Sequence, residues 1–193
     1  MGDSKVVCGG VREPGGVGGS LVVLLVRILV GAIFVFSGAA KLGFIENFGD
    51  PTGFATAVLK FRVVHPDFVV FTTFFVPWLE LIGGGAVLLG AMTRGGGTLI
   101  ALLLTAFTAA ILSIPLRGLE IGDCSCFGGQ LKERFPTIGE WLEPDVGWKS
   151  VTRNVVLFGL TLIPATWGGG AFSVDHAIRR AFRGSDDAPA STD

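Results

Sequence analysis

Four stretches of this chain, residues 21–42, 68–92, 97–116 and 150–167, are apolar with few interruptions. A helix rises 1.5 Å per residue, so about 20 such residues cross the hydrocarbon core of a bilayer. In lipid every backbone polar group must find its partner inside the structure, and a single apolar run can do that only as a helix. The expected fold is therefore an all-α membrane protein, a four-transmembrane-helix bundle, with a short interfacial helix between the first and second spans. Composition agrees. Half of the 193 residues are hydrophobic and 16% are charged, against about 25% charged in soluble domains. Net charge is −1 with no basic block, so no nucleic-acid partner is expected. Three cysteines are too few for a disulfide scaffold, and the odd count leaves one, most simply Cys8, outside any pair within the chain.

Residues 1–19 are polar and glycine-rich and read as a disordered N-terminal tail, residues 20–168 as the four-span membrane domain, and residues 169–193 as a C-terminal tail. The first run is broken only by Arg27 and Lys41. A signal peptide cleaved near residues 37–40 is the competing reading, but the run is longer than a secretory apolar segment and lacks a distinctly basic leader. Residues 51–64 place Phe54, Val58 and Phe61 at helical spacing beside Lys60 and Arg62. An interfacial helix and an ordinary packed loop helix both fit that pattern. The second run contains Pro77 and Gly83-Gly84-Gly85. Such breakers survive where neighbouring helices satisfy the freed backbone, and small residues let helices approach closely. A turn is expected around Arg94-Gly95-Gly96. Trp141 and Trp148 in the longest polar loop suit the membrane boundary.

Four spans put both termini on one side. Lys and Arg are no scarcer in the long loops than beside the termini, so charge bias alone does not orient the bundle. Arg179, Arg180 and Arg183 near the last run, and an oxidising compartment for the cysteines, argue for cytoplasmic termini and a periplasmic loop in a bacterial inner membrane.

Reactive side chains cluster in one loop, at Cys124-Ser125-Cys126 between Gly122 and Gly128. Three readings fit two thiols one residue apart. They form a strained, labile redox pair; they supply half of a tetrahedral metal set; or they are two small residues in a turn. Arg27 and Glu80 are the charges expected within the hydrocarbon, where a charge is expensive and faces a partner or a cavity. Counted from the start of each apolar run, they come out at similar depth, so a pair between the first two spans is expected. His65 and His176 fall on opposite sides, so no haem held by two histidines is expected.

Taken together, these residues resemble the DoxX-like superfamily of four-span bacterial membrane proteins, and within it the methylamine-utilisation MauE branch. The resemblance covers residues 20–168. It rests on Arg27 with Phe36-Ser37-Gly38-Ala39-Ala40-Lys41 and on Pro77-Trp78-Leu79-Glu80-Leu81-Ile82-Gly83-Gly84. It continues in Asp123-Cys124-Ser125-Cys126-Phe127-Gly128 followed by Trp148 and Arg153-Asn154. Lys41, Trp148, Arg153 and Asn154 are thereby marked as supporting residues. The resemblance implies an inner-membrane bundle that serves maturation of a periplasmic disulfide-containing enzyme, with a thioredoxin-like or disulfide-containing protein as partner. Cys124 and Cys126 are the candidate catalytic pair of a membrane thiol–disulfide oxidoreductase, and a quinone between the helices is a candidate to accept or donate the electrons. The competing functions are a non-catalytic assembly subunit and a small-molecule carrier using Glu80 and Arg27.

Overall fold

A computed structural model describes residues 16–45, 51–118, 135–142 and 147–167. These residues are helical and turn structure, with no strand among them. The helices are α1 (Gly16–Lys41), α2 (Pro51–Phe61), α3 (Pro66–Leu89), α4 (Thr93–Leu116), α5 (Pro136–Leu142) and α6 (Trp148–Trp167). Pro51, Pro66 and Pro136 each open a helix, the position where a missing N–H costs nothing.

Helix α1 packs on α3, α3 on α4, α4 on α6 and α6 back on α1, closing a four-helix bundle. Its centre is a buried cluster of Val30, Phe34, Val87, Ile100, Leu104 and Leu157. Three helices are long and apolar enough to cross a membrane, over Gly19–Lys41, Pro66–Leu89 and Thr93–Ile114. Helix α6 completes the bundle but is less apolar, because its first two turns carry Lys149, Ser150, Thr152, Arg153 and Asn154.

Glycine sets the closeness of α1 and α3. A Cβ on Gly31 would lie 2.8 Å from the Leu88 Cβ, one on Gly84 2.9 Å from the Phe34 Cβ, and one on Gly38 2.7 Å from the Pro77 carbonyl oxygen. The backbones touch where the side chains are missing. Of the neighbouring glycines, Gly83 turns to Leu99 and Ile100 of α4, and Gly85 meets nothing within 4 Å.

The turn expected around Arg94-Gly95-Gly96 lies earlier. Helix α3 ends at Gly90, whose φ of 75° is left-handed, and the N–H groups of Gly90 and Ala91 both donate to the Ala86 carbonyl. Arg94 and the glycines after it are already inside α4. Helix α2 buries Phe54, Ala57, Val58 and Phe61 against α3 and α4, the spacing of an amphipathic helix seated on a bundle end. The α4 end is tied to the same place by Arg117 Nη1, which donates to the Arg62 carbonyl at 2.8 Å.

Candidate functional site

Ser37 and Lys41 lie one helical turn apart on the last stretch of α1, so their side chains share a face. Glu80 comes from the middle of α3. Side chains of a helix lean toward its N-terminus. Lys41 therefore leans back into the bundle, and Glu80, on an antiparallel helix, leans toward the end where Lys41 sits. They meet. Lys41 Nζ donates to Glu80 Oε1 at 2.6 Å and Oε2 at 2.7 Å, and to Ser37 Oγ at 3.0 Å. Ser37 Oγ in turn donates to Glu80 Oε2 at 3.0 Å. All three residues are buried. The rings of Phe54 and Phe107 stand 5.0 and 5.1 Å from Lys41 Nζ, so the ammonium is enclosed by a carboxylate, a hydroxyl and two aromatic faces.

The expected pairing of Arg27 with Glu80 is not formed. Arg27 Nε donates to the Val87 carbonyl at 3.0 Å and Nη2 to the Leu88 carbonyl at 3.4 Å. It thus satisfies carbonyls left open at the C-terminus of α3, the negative end of the helix dipole. The guanidinium lies against Gly90. The reason is register. Gly38 meets Pro77, Gly31 meets Gly84 and Leu88, and Arg27 reaches the last turn of α3. That leaves Arg27 about eight residues along α3 from Glu80, roughly 12 Å of helix. Lys41 belonged with the end charges in the sequence, yet its side chain is 1% exposed and takes the place expected for Arg27.

Arg153 and Asn154 reach the same region from α6. Arg153 Nε and Nη2 donate to Asn154 Oδ1 at 3.2 and 2.9 Å, and Asn154 Nδ2 donates to Thr108 Oγ1 of α4 at 3.3 Å. Lys41, Ser37, Glu80, Phe107, Arg153 and Asn154 line one cavity of about 30 Å³, enough for a water. Arg153 also borders an open cleft of about 540 Å³ with Thr137, Glu140, Trp148 and Lys149. Trp148 is exposed and takes no part in the buried cluster. Cys124 and Cys126 lie outside the described residues.

Ser37, Phe54, Phe107 and Thr108 were not singled out as site residues from the sequence. Ser37 had a signal, its one-turn spacing from Lys41 inside an apolar helix. The aromatic walls had none, since phenylalanine is abundant throughout the chain. Among the described residues no group of three His, Cys, Asp or Glu side chains could hold a metal. A buried ammonium–carboxylate pair is weak evidence for added stability, because desolvation offsets most of the attraction. Ionisable groups kept within a membrane bundle more often serve function.

Fold and site define a multi-helix membrane protein built around a buried charge cluster at one end of its bundle. The family model for methylamine utilisation protein MauE matches residues 19–167. A relative, the methylamine utilization protein MauE of Paracoccus denitrificans, is 30% identical over 147 residues, which is 76% of this chain and 69% of that one. The chain belongs to the MauE family. No solved structure matches it.

Proposed function

We propose that this protein is an inner-membrane maturation factor of amine utilisation, acting by thiol–disulfide exchange with a periplasmic disulfide-containing enzyme or a thioredoxin-like carrier. One observation carries the reading. The segment with Cys124 and Cys126 leaves α4 just after Arg117, which bonds to Arg62, and returns at Phe135 before α5, which Glu140 ties to Lys149 at the start of α6. Both anchors lie at the bundle end that holds the buried Lys41–Glu80 pair. The described residues that flank the segment bearing the thiol pair thus sit at the bundle end where Lys41 and Glu80 are buried. In the exchange, a thiolate of the partner attacks the Cys124–Cys126 disulfide, a mixed disulfide forms, and a second partner thiol displaces it, so that the partner gains a disulfide and Cys124 and Cys126 are left as thiols.

The same reading makes α6 the fourth span, so that both termini are cytoplasmic and the cysteine loop periplasmic. It also extends the family membership to the wider DoxX-like group through Arg27 and the motifs at residues 36–41 and 77–84. The test is trapping in cells grown on an amine. A Cys126→Ser variant is expected to accumulate a mixed disulfide with a periplasmic protein, and Cys124→Ser to lose growth support while the bundle stays folded. Full growth support by the double serine variant overturns the exchange role and leaves an assembly subunit or a carrier.

A further inference from the structure

On the outer surface of the bundle, between α4 and α6, lies a groove of about 290 Å³, close to the lower end of small-molecule sites. Its walls are Leu104, Thr105, Thr108, Ala109 and Leu112 from α4, with Asn154, Val155 and Phe158 from α6. The α4 side belongs to a stretch apolar enough to cross a membrane, and Leu112 and Val155 are exposed. The groove therefore faces the hydrocarbon. Leu104 and Asn154 also line the cavity of the Lys41–Glu80 cluster, so they form the wall between groove and cluster.

The orientation of the Asn154 amide is determined by its neighbours. A guanidinium can only donate, so the amide oxygen must face Arg153, and the nitrogen faces Thr108 on the groove side. Asn154 is 2% exposed. Its nitrogen carries two hydrogens, and one goes to Thr108 Oγ1. Thr108 passes its own hydroxyl hydrogen to the Leu104 carbonyl at 2.7 Å. Among the described residues the second amide hydrogen has no acceptor. A buried donor left unmade costs about 1–3 kcal/mol, and a ligand oxygen at the inner end of the groove would take it.

The chemistry of the walls selects the occupant. The body must be apolar, it must enter from lipid, and its head must be a neutral hydrogen-bond acceptor, since no charged side chain lines the groove. A phosphate or carboxylate head would be desolvated there without a cation. We propose that the groove seats a membrane quinone, one carbonyl oxygen accepting from Asn154 Nδ2. Its electron source rests on the thiol–disulfide reading above: two thiols become one disulfide, releasing two electrons and two protons, and the quinone takes up both to become the quinol.

The binding half is tested without the thiols. The full chain in lipid nanodiscs is labelled with a photoreactive azidoquinone in competition with decylubiquinone, and the adducts are mapped. Adducts are expected on the α4 and α6 walls, displaced by decylubiquinone. Ala109→Phe, at an exposed position, fills the groove from outside without touching the core, and is expected to cut displaceable labelling by about tenfold or more. Asn154→Leu is expected to cut it as well. A Cys124→Ser, Cys126→Ser double variant should label like the natural chain. Labelling that decylubiquinone does not displace, or that Ala109→Phe leaves unchanged, overturns the site. Displaceable, Ala109-sensitive labelling in a protein whose double serine variant still supports growth establishes the site and overturns only the exchange reading.

Discussion

Lys41 Nζ is 2.6 Å from Glu80 Oε1 with both side chains almost wholly buried, although Lys41 is the last residue of its helix and Glu80 lies mid-helix. The contact exists because two antiparallel helices lean their side chains in opposite directions and so toward each other. It turns a charge that looked like a membrane-edge anchor into an interior one. Ser37 Oγ takes the remaining donor of Lys41 and donates to Glu80, which closes the triad.

Removing one partner of this pair leaves the other charged and unpaired in a dry setting. Lys41→Met and Glu80→Gln should each lower bundle stability in detergent by about 3–5 kcal/mol. The double substitution should recover part of the loss, with a coupling energy of about 1 kcal/mol or more in a double-mutant cycle. The same cycle run on Arg27→Met and Glu80→Gln should give coupling near zero, because those residues are too far apart to share an interaction. Equal coupling in the two cycles would contradict the register described above.

Gly90 is constrained twice. Its φ of 75° disfavours any side chain, and the Arg27 guanidinium occupies the place of a Cβ. Gly90→Ala should therefore cost more than the usual 1 kcal/mol or so of a left-handed alanine. In an Arg27→Ala background the steric part vanishes and the cost should fall toward the backbone term alone. Thermal unfolding of the four proteins measures the difference, and an unchanged cost would mean that Arg27 does not rest on the α3 cap.

The α1–α3 contact makes opposite predictions for two glycines of similar appearance. Gly38→Ala forces a Cβ to 2.7 Å from the Pro77 oxygen and should cost about 1–3 kcal/mol by driving the backbones apart. Gly85→Ala meets nothing within 4 Å and should be neutral or stabilise by about 0.5–1 kcal/mol through helix propensity. Denaturation midpoints in one detergent compare them directly.

The helical class was legible because long apolar runs with few charges have one solution in lipid, and Glu80 was legible as a carboxylate inside such a run. Its partner was not. Depth counted from the first apolar residue of each run put Arg27 opposite Glu80, but helix register is a property of two surfaces. Here Gly31 and Gly38 set it against Gly84 and Pro77, and the closest approach of backbones outweighs the alignment of run ends. Lys41 was misplaced for a related reason. A lysine at a helix end is expected to reach outward to water, whereas here the rings of Phe54 of α2 and Phe107 of α4 cover an ammonium that reaches inward. Arg153 and Asn154 read as the start of a span, while the place of Asn154 between a charged cavity and an apolar groove depends on how α6 sits on α4.

That cover gives the last prediction. Phe54 of α2 is buried in a cluster with Val58 of α2 and Val69 of α3, and it is also one of two rings about 5 Å from Lys41 Nζ. Packing and cation–π attraction can be separated, because leucine keeps most of the apolar burial and loses the ring. Phe54→Leu should cost about 1–3 kcal/mol in the natural background, the sum of imperfect repacking and a desolvated cation–π contact worth about 1–2 kcal/mol. In a Lys41→Met background only the repacking part remains, so the cost should drop by about 1 kcal/mol or more. The same change at Phe107, on α4, should behave alike, since its ring is equally close to the ammonium. If Phe54→Leu costs the same in both backgrounds, α2 is held by apolar packing alone and the ammonium gains nothing from it. If the cost falls as expected, α2 and the buried charge support each other. Hydrogen exchange should then show the α2 amides opening more readily in Lys41→Met than in the natural chain, although Lys41 lies outside α2.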